Sequence, residues 1–250
     1  MQLDLVSMVL VVLAAFGTAV FHSVSGFAGA LLLAIAVAPI IGVKETVPVV
    51  ATAMVISNSA RIWAFRRTVN WRIWASIFFS ALPFIVLSAI IYIRLGEAVV
   101  AVILGIFLVL MVPIRRAMKR LDVKVGYRGL AAVAVPYGLL SGSTFGAGMM
   151  LAPFLLGAGL AGEYLVGTVA ALGWGLNLTK SIVFGFSPLL DRPLLLQGTL
   201  IGLCTIPGAY AGRWIVRSTS IRVHTLFMEM VILGGAAYFL WKAAQGFGLL

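Results

Sequence analysis

The sequence predicts an all-α integral membrane protein. We expect two inverted four-segment repeats and roughly eight (seven to ten) transmembrane segments of about 20 residues, with the first segment of each repeat broken or re-entrant. Three observations predict this. The 250 residues are 62% hydrophobic and 10% charged, with mean hydropathy +1.14, whereas a soluble domain carries about 25% charged residues. Small-residue clusters at Ser25–Ala30 and Ser143–Gly148 interrupt two long apolar runs. Lipid cannot satisfy the backbone groups of a broken helix, so such breaks survive inside protein or at a water-filled cavity. Lysines and arginines gather in the short stretches between runs, as the positive-inside rule expects.

The first run covers about 3–42 and breaks near His22–Gly29. It is too long for one span of about 20 residues. It reads as two helices or as a hairpin that enters and leaves on one face. Gln2 and Asp4 are the wrong flank for a signal peptide, so we expect these residues in the mature protein. Runs at about 46–65, 73–93 and 98–113 follow, with Pro83 expected to kink the second of these. Residues 114–128 are the most polar stretch, with Arg115, Arg116, Lys119, Arg120, Lys124 and Arg128 against Asp122. They divide a first repeat, 1–113, from a second, 129–250.

The second repeat follows the same plan. A run over about 129–161 breaks at Ser141–Gly148, and runs near 164–187, 194–216 and 223–241 follow. Phe27 and Phe145 lie 118 positions apart, as do Glu45 and Glu163. Asn58 and Asn177 lie 119 apart, as do Arg61 and Lys180. Matched charges inside apolar runs are harder to obtain by chance than matched leucines. With the 114–128 linker in the cytoplasm, about thirteen basic residues lie near the inner face and four near the outer. The opposite orientation inverts that ratio. A broken first run adds zero or two crossings. Each repeat therefore crosses an odd number of times, the repeats are inverted, and both termini are extracytoplasmic. Inverted repeats with paired broken helices are a transporter architecture.

The breaks are the first candidate ligand elements. Glycine lets backbone leave helical geometry and approach a ligand. A half-helix that starts after a break points free N–H groups at the gap and favours an anion there. Ser25, Gly26, Phe27 and Gly29 in the first break, and Ser143, Thr144, Phe145, Gly146 and Gly148 in the second, are candidate substrate-binding residues. Ser141 adds a hydroxyl nearby. The alternative use of such clusters is close helix packing.

Asn58 with Arg61, and Asn177 with Lys180, are the second set. Spacing i, i+3 puts each pair on one helix face, about a dozen residues into its run. Arg61 is five residues before Arg66 and also suits a snorkelling role at the surface. Lys180 has no basic surface cluster at hand, and an ionisable group within a span is a functional hypothesis by default. Glu45 and Glu163 begin their runs at opposite faces. They suit helix N-termini, or gating and proton coupling. His22 is a further proton-coupling candidate, although Leu140 stands at the matching offset in the second half. Trp63, Trp71, Trp74, Trp214 and Trp241 read as interface anchors.

Other function classes find little support. A net charge of +11 is accounted for by topology, with no nucleic-acid motif. Cys204 is the single cysteine and the two histidines lack metal-ligand spacing, so no metal is expected. No catalytic constellation or phosphate loop is present, so we expect neither an enzyme nor a cofactor.

Taken together, these residues resemble the sulfite exporter TauE/SafE family of small membrane transporters. The resemblance rests on Ser25–Gly29 with Ala38-Pro39, on Gly142–Pro153, and on Pro207–Arg213 followed by Val231–Gly234. The first half lacks a close copy of the Gly-Ala-x-x-Gly-Arg pattern, and Ala28 and Ala30 stand where the second has Gly146 and Gly148. The resemblance implies transport of sulfite, sulfonates or related oxyanions across a prokaryotic plasma membrane. The partners we expect are a small anion and the bilayer, with a homo-oligomer as one assembly. The residues independently favour an anion and alternating access. A passive anion channel and a non-transporting membrane assembly subunit are the alternatives.

Overall fold

In a computed structural model of the protein, residues 13–20, 29–118, 124–215 and 221–249 are described. Among them the chain forms ten helices and no strand. These are α1 (13–20), α2 (Gly29–Ile41), α3 (Val43–Ala64), α4 (Trp71–Arg94), α5 (Glu97–Met118), α6 (Tyr127–Ser143), α7 (Gly148–Gly157), α8 (Gly162–Gly185), α9 (Arg192–Ile215) and α10 (Ile221–Gly246). Three of the described helices are long and apolar enough to cross a membrane: α3, α4 and residues Glu97–Ile114 of α5. With the apolar composition they mark an integral membrane protein. α8, α9 and α10 have 24, 24 and 26 residues, which at 1.5 Å per residue exceed a bilayer core of about 30 Å.

The expected boundaries hold to within a few residues, with one difference. α5 runs on through Arg115 and Arg116 to Met118, inside the stretch read as linker. Arginine is a good helix former and cations suit a helix C-terminus, so nothing stops the helix at the bilayer edge. α4 is helical through Pro83 without interruption.

α3 is the central span: 56% of its apolar window is buried within the protein, against 33% for α4 and for α5. It packs on α2, α8 and α9, and α8 packs in turn on α4. The outer faces of α4 and α5 leave Phe79, Leu87, Ile91, Ile106 and Leu110 exposed, as a lipid-facing surface requires.

Two glycine pairs set close helix approaches. A Cβ on Gly138 would lie 2.6 Å from the Ala81 carbonyl oxygen, and one on Gly142 2.6 Å from that of Ile85. The α6–α4 crossing is therefore backbone against backbone. Gly198 and Gly202 do the same for α9 on α3, with a Cβ falling 2.8 Å from the Val49 oxygen and 2.9 Å from the Ala53 oxygen. Both pairs have the Gly-x-x-x-Gly spacing that lets membrane helices approach closely.

Polar contacts fix which ends lie together. Tyr92 Oη donates to the Lys44 carbonyl at 2.9 Å, joining the end of α4 to the start of α3. At the other end, Thr68 Oγ1 donates to the Glu163 carbonyl at 3.2 Å, and the Asn70 N–H donates to Thr168 Oγ1 at 2.9 Å. α8 thus starts where α3 finishes, and the two run antiparallel. Trp74 departs from the expected anchor role. Its Nε1 donates to the Ala171 carbonyl at 3.0 Å and its ring stacks on Phe78, so it ties α4 to α8.

Candidate functional site

The second break is where the site begins. α6 ends at Ser143 and α7 begins at Gly148. Thr144 is extended, with φ −131° and ψ −177°, and Gly146 has φ +71°, a left-handed conformation that suits glycine. Beyond the break the chain turns back. The Val125 N–H donates to the Gly157 carbonyl at 3.4 Å, so the start of α6 and the end of α7 meet. α6 and α7 form a hairpin with the break at its tip.

A break frees carbonyls that need donors. Thr144 Oγ1 donates to the Leu140 carbonyl at 2.6 Å. Lys180 Nζ, reaching across from α8, donates to the Thr144 carbonyl at 3.1 Å. Lys180 is 2% exposed. A buried ammonium costs several kcal/mol unless charges or hydrogen bonds offset it.

Beside the break lies a cavity of about 70 Å³. Three helices supply its polar wall: Asn58 and Arg61 from α3, Tyr137 and Ser141 from α6, Asn177 and Lys180 from α8. Residues 144–148 of the break line it too, so the N-terminus of α7 stands at its edge. Met54, Leu151, Leu172 and Leu176 form apolar wall, and Ala30 of α2 also lines it. No carboxylate is among the described lining residues. One water needs about 10–15 Å³ of such space, so the cavity has room for about five waters or one small oxyanion.

The amides are differently engaged. Arg61 Nη1 donates to Asn58 Oδ1 at 3.5 Å, which turns the Asn58 amide so that its NH₂ is the remaining donor. Asn177 Nδ2 donates back to the Gly173 carbonyl at 2.7 Å. One of its two N–H groups is thus taken up within α8.

The structure brings together Asn58, Arg61, Thr144, Phe145, Gly146, Gly148, Asn177 and Lys180 in one cavity wall. Ser143, the last residue of α6, is outside that wall, and Gly29 is buried next to the lining residue Ala30. Ser25, Gly26, Phe27 and His22 lie outside the described residues. Glu45 begins α3 and folds back toward Gly42. Glu163 begins α8 beside Arg66, Arg67 and Thr68. Neither acid lines the cavity. The sequence reading missed Tyr137, although it lies one turn before Ser141 on the same helix face.

This is a helical membrane protein with a small, cation-bearing cavity at a helix break. A sequence profile of the sulfite exporter TauE/SafE family matches residues 11–239, nearly the whole chain. The chain belongs to that family, whose members are membrane transporters rather than enzymes. Comparison with curated proteins and with solved structures gives no match.

Proposed function

We propose that the protein is a secondary transporter of sulfur-containing or organic oxyanions, of the sulfite or sulfonate kind, across the plasma membrane. One observation carries this reading. Lys180 is buried in a cavity wall whose described residues include no carboxylate. An anion is the species whose arrival neutralises such a site. The N-terminus of α7 adds about half a positive charge at the edge.

Alternating access of two inverted repeats, 1–113 and 129–250 joined by a cytoplasmic linker, is the mechanism we propose. The packing supports it. Exchanging α1–α5 with α6–α10 carries the α3–α9 contact onto α8–α4 and the α2–α10 contact onto α7–α5, while α3–α8 and α5–α10 map onto themselves. The cavity lies at the α3–α8 pair, on the axis that such an exchange implies. An odd number of crossings in each repeat, with both termini extracytoplasmic, fits the charge distribution.

Counterflow in proteoliposomes tests the proposal. Vesicles loaded with sulfite should take up labelled sulfite against its gradient in wild type, and Lys180→Met should abolish that uptake. Uptake that neither saturates nor responds to internal sulfite would make the protein a channel. Uptake unaffected by Lys180→Met would remove the site from the pathway.

A further inference from the structure

The cavity wall also carries two hydroxyls. Tyr137 and Ser141 are one turn apart on α6, and both line the wall. Ser141 is 1% exposed, yet its Oγ makes no hydrogen bond of ordinary geometry with the described residues. Its polar neighbour is the Tyr137 hydroxyl. Leaving a buried hydroxyl unsatisfied costs about 1–3 kcal/mol, and alanine at 141 would occupy the same space without that cost.

The placement of the donors is informative. They come from three helices: Lys180 and Asn177 on α8, Arg61 and Asn58 on α3, Ser141 and Tyr137 on α6. An anion with two oxygens can be met from two of these sides. One with three oxygens about a central atom can be met from all three. The volume sets the size. Room for about five waters suits an anion of four or five heavy atoms, which is what a bare three-oxygen head needs.

The geometry points to the Tyr137–Ser141 hydroxyl pair as a specificity subsite for the third oxygen of a three-oxygen anion. Lys180 and Arg61 supply charge, which any small anion would answer. The hydroxyl pair supplies the distinction between a three-oxygen head and a carboxylate-like head that has only two. This inference rests on the anion reading of the same cavity and deepens it.

Sulfite and methanesulfinate make the test, because a methyl group replaces one oxygen on the same sulfur. Isothermal titration of the full chain in nanodiscs, at mildly acidic pH where sulfite is largely a monoanion, should show wild type preferring sulfite by tenfold or more. A hydrogen bond to a charged group is worth about that factor. Ser141→Ala should weaken sulfite about tenfold and change methanesulfinate by less than twofold, so the preference collapses. Tyr137→Phe should act in the same direction. Retained methanesulfinate binding reports that the variants are folded. Lys180→Met should weaken both anions together. If Ser141→Ala and Tyr137→Phe leave the sulfite preference intact, or weaken both anions equally, the subsite is overturned while the anion site stands. If wild type binds neither anion, the anion reading fails and the subsite fails with it.

Discussion

α3 and α8 carry the same polar pair at the same spacing, and the fold treats the two differently. Asn58 with Arg61 and Asn177 with Lys180 all reach one cavity. Arg61 is partly exposed and engages its own asparagine at 3.5 Å. Lys180 is sealed, engages the broken helix at Thr144, and leaves Asn177 to bond Gly173. The difference comes from what stands over each cation. Arg61 is three residues from the end of α3, near the exposed Trp63 and Arg66. Lys180 is five residues from the end of α8 but lies against the tip of the α6–α7 hairpin. A desolvated charge interacts far more strongly than a solvated one. The two cations should therefore differ in their effect on an anion even though their sequence contexts match.

The largest expected effect is at Lys180. Lys180→Met should weaken sulfite binding on the order of a hundredfold, the range for removing one partner of a buried charged contact. Its effect on melting should be small or stabilising, because a buried charge leaves along with one hydrogen bond. Titration and thermal denaturation in detergent check both halves. A variant that binds normally but melts far lower would make Lys180 a structural cap for Thr144 and nothing more.

The seal over Lys180 depends on where α6 sits, and that depends on glycine. Gly142→Val should cost about 1–3 kcal/mol of stability, as overpacking does, because even a first carbon at 142 meets the Ile85 oxygen at 2.6 Å. It should also weaken sulfite binding by displacing the break. Gly234→Ala is the control, since a Cβ there meets nothing within 4 Å, and it should leave both properties unchanged. Equal melting of the two variants would mean that the α4–α6 approach is looser than described.

Arg61→Ala should weaken binding about tenfold, less than Lys180→Met, because Arg61 is the less buried of the two cations and a less desolvated charge interacts more weakly. The ordering is the sharp statement. If the Arg61 variant loses more than the Lys180 variant, burial does not rank these cations and the comparison of the two helices breaks.

Much of this was legible in the sequence. The break at 144–147 falls inside the expected Ser141–Gly148, and Lys180 was separable from Arg61 because no basic cluster follows it. What was not legible depends on the third dimension. Tyr137 enters the cavity because α6 turns one face to α8 while its glycines face α4. Ser143 leaves the lining because the hairpin turns just after it. Asn177 gives one N–H to Gly173, a local competition that spacing alone does not reveal.

The smallest expected effect is at a third cation, and it completes the ranking by burial. Arg116 is 66% exposed at its side chain and pairs with Glu229 of α10 through Nη2, with Nε 3.3 Å from the other carboxylate oxygen. The pair joins the ends of α5 and α10, which pack along each other. The Glu229 hydrogen bond and charge raise the Arg116 pKa above its ordinary value. A raised pKa on a cation contributes stability that is present below the unfolded value and lost only as pH rises through the folded one. That window lies above the already high arginine range, so Arg116 itself should give no pH dependence near neutrality. Glu229 is buried, with 11% of its side chain exposed, but the exposed guanidinium leaves the pair open to screening by salt. Arg116→Gln should therefore change sulfite affinity by less than twofold and shift melting less than Gly142→Val does, with the shift shrinking further as salt is added. A large, salt-insensitive loss of stability would place this pair among the buried interactions and end the ranking by exposure.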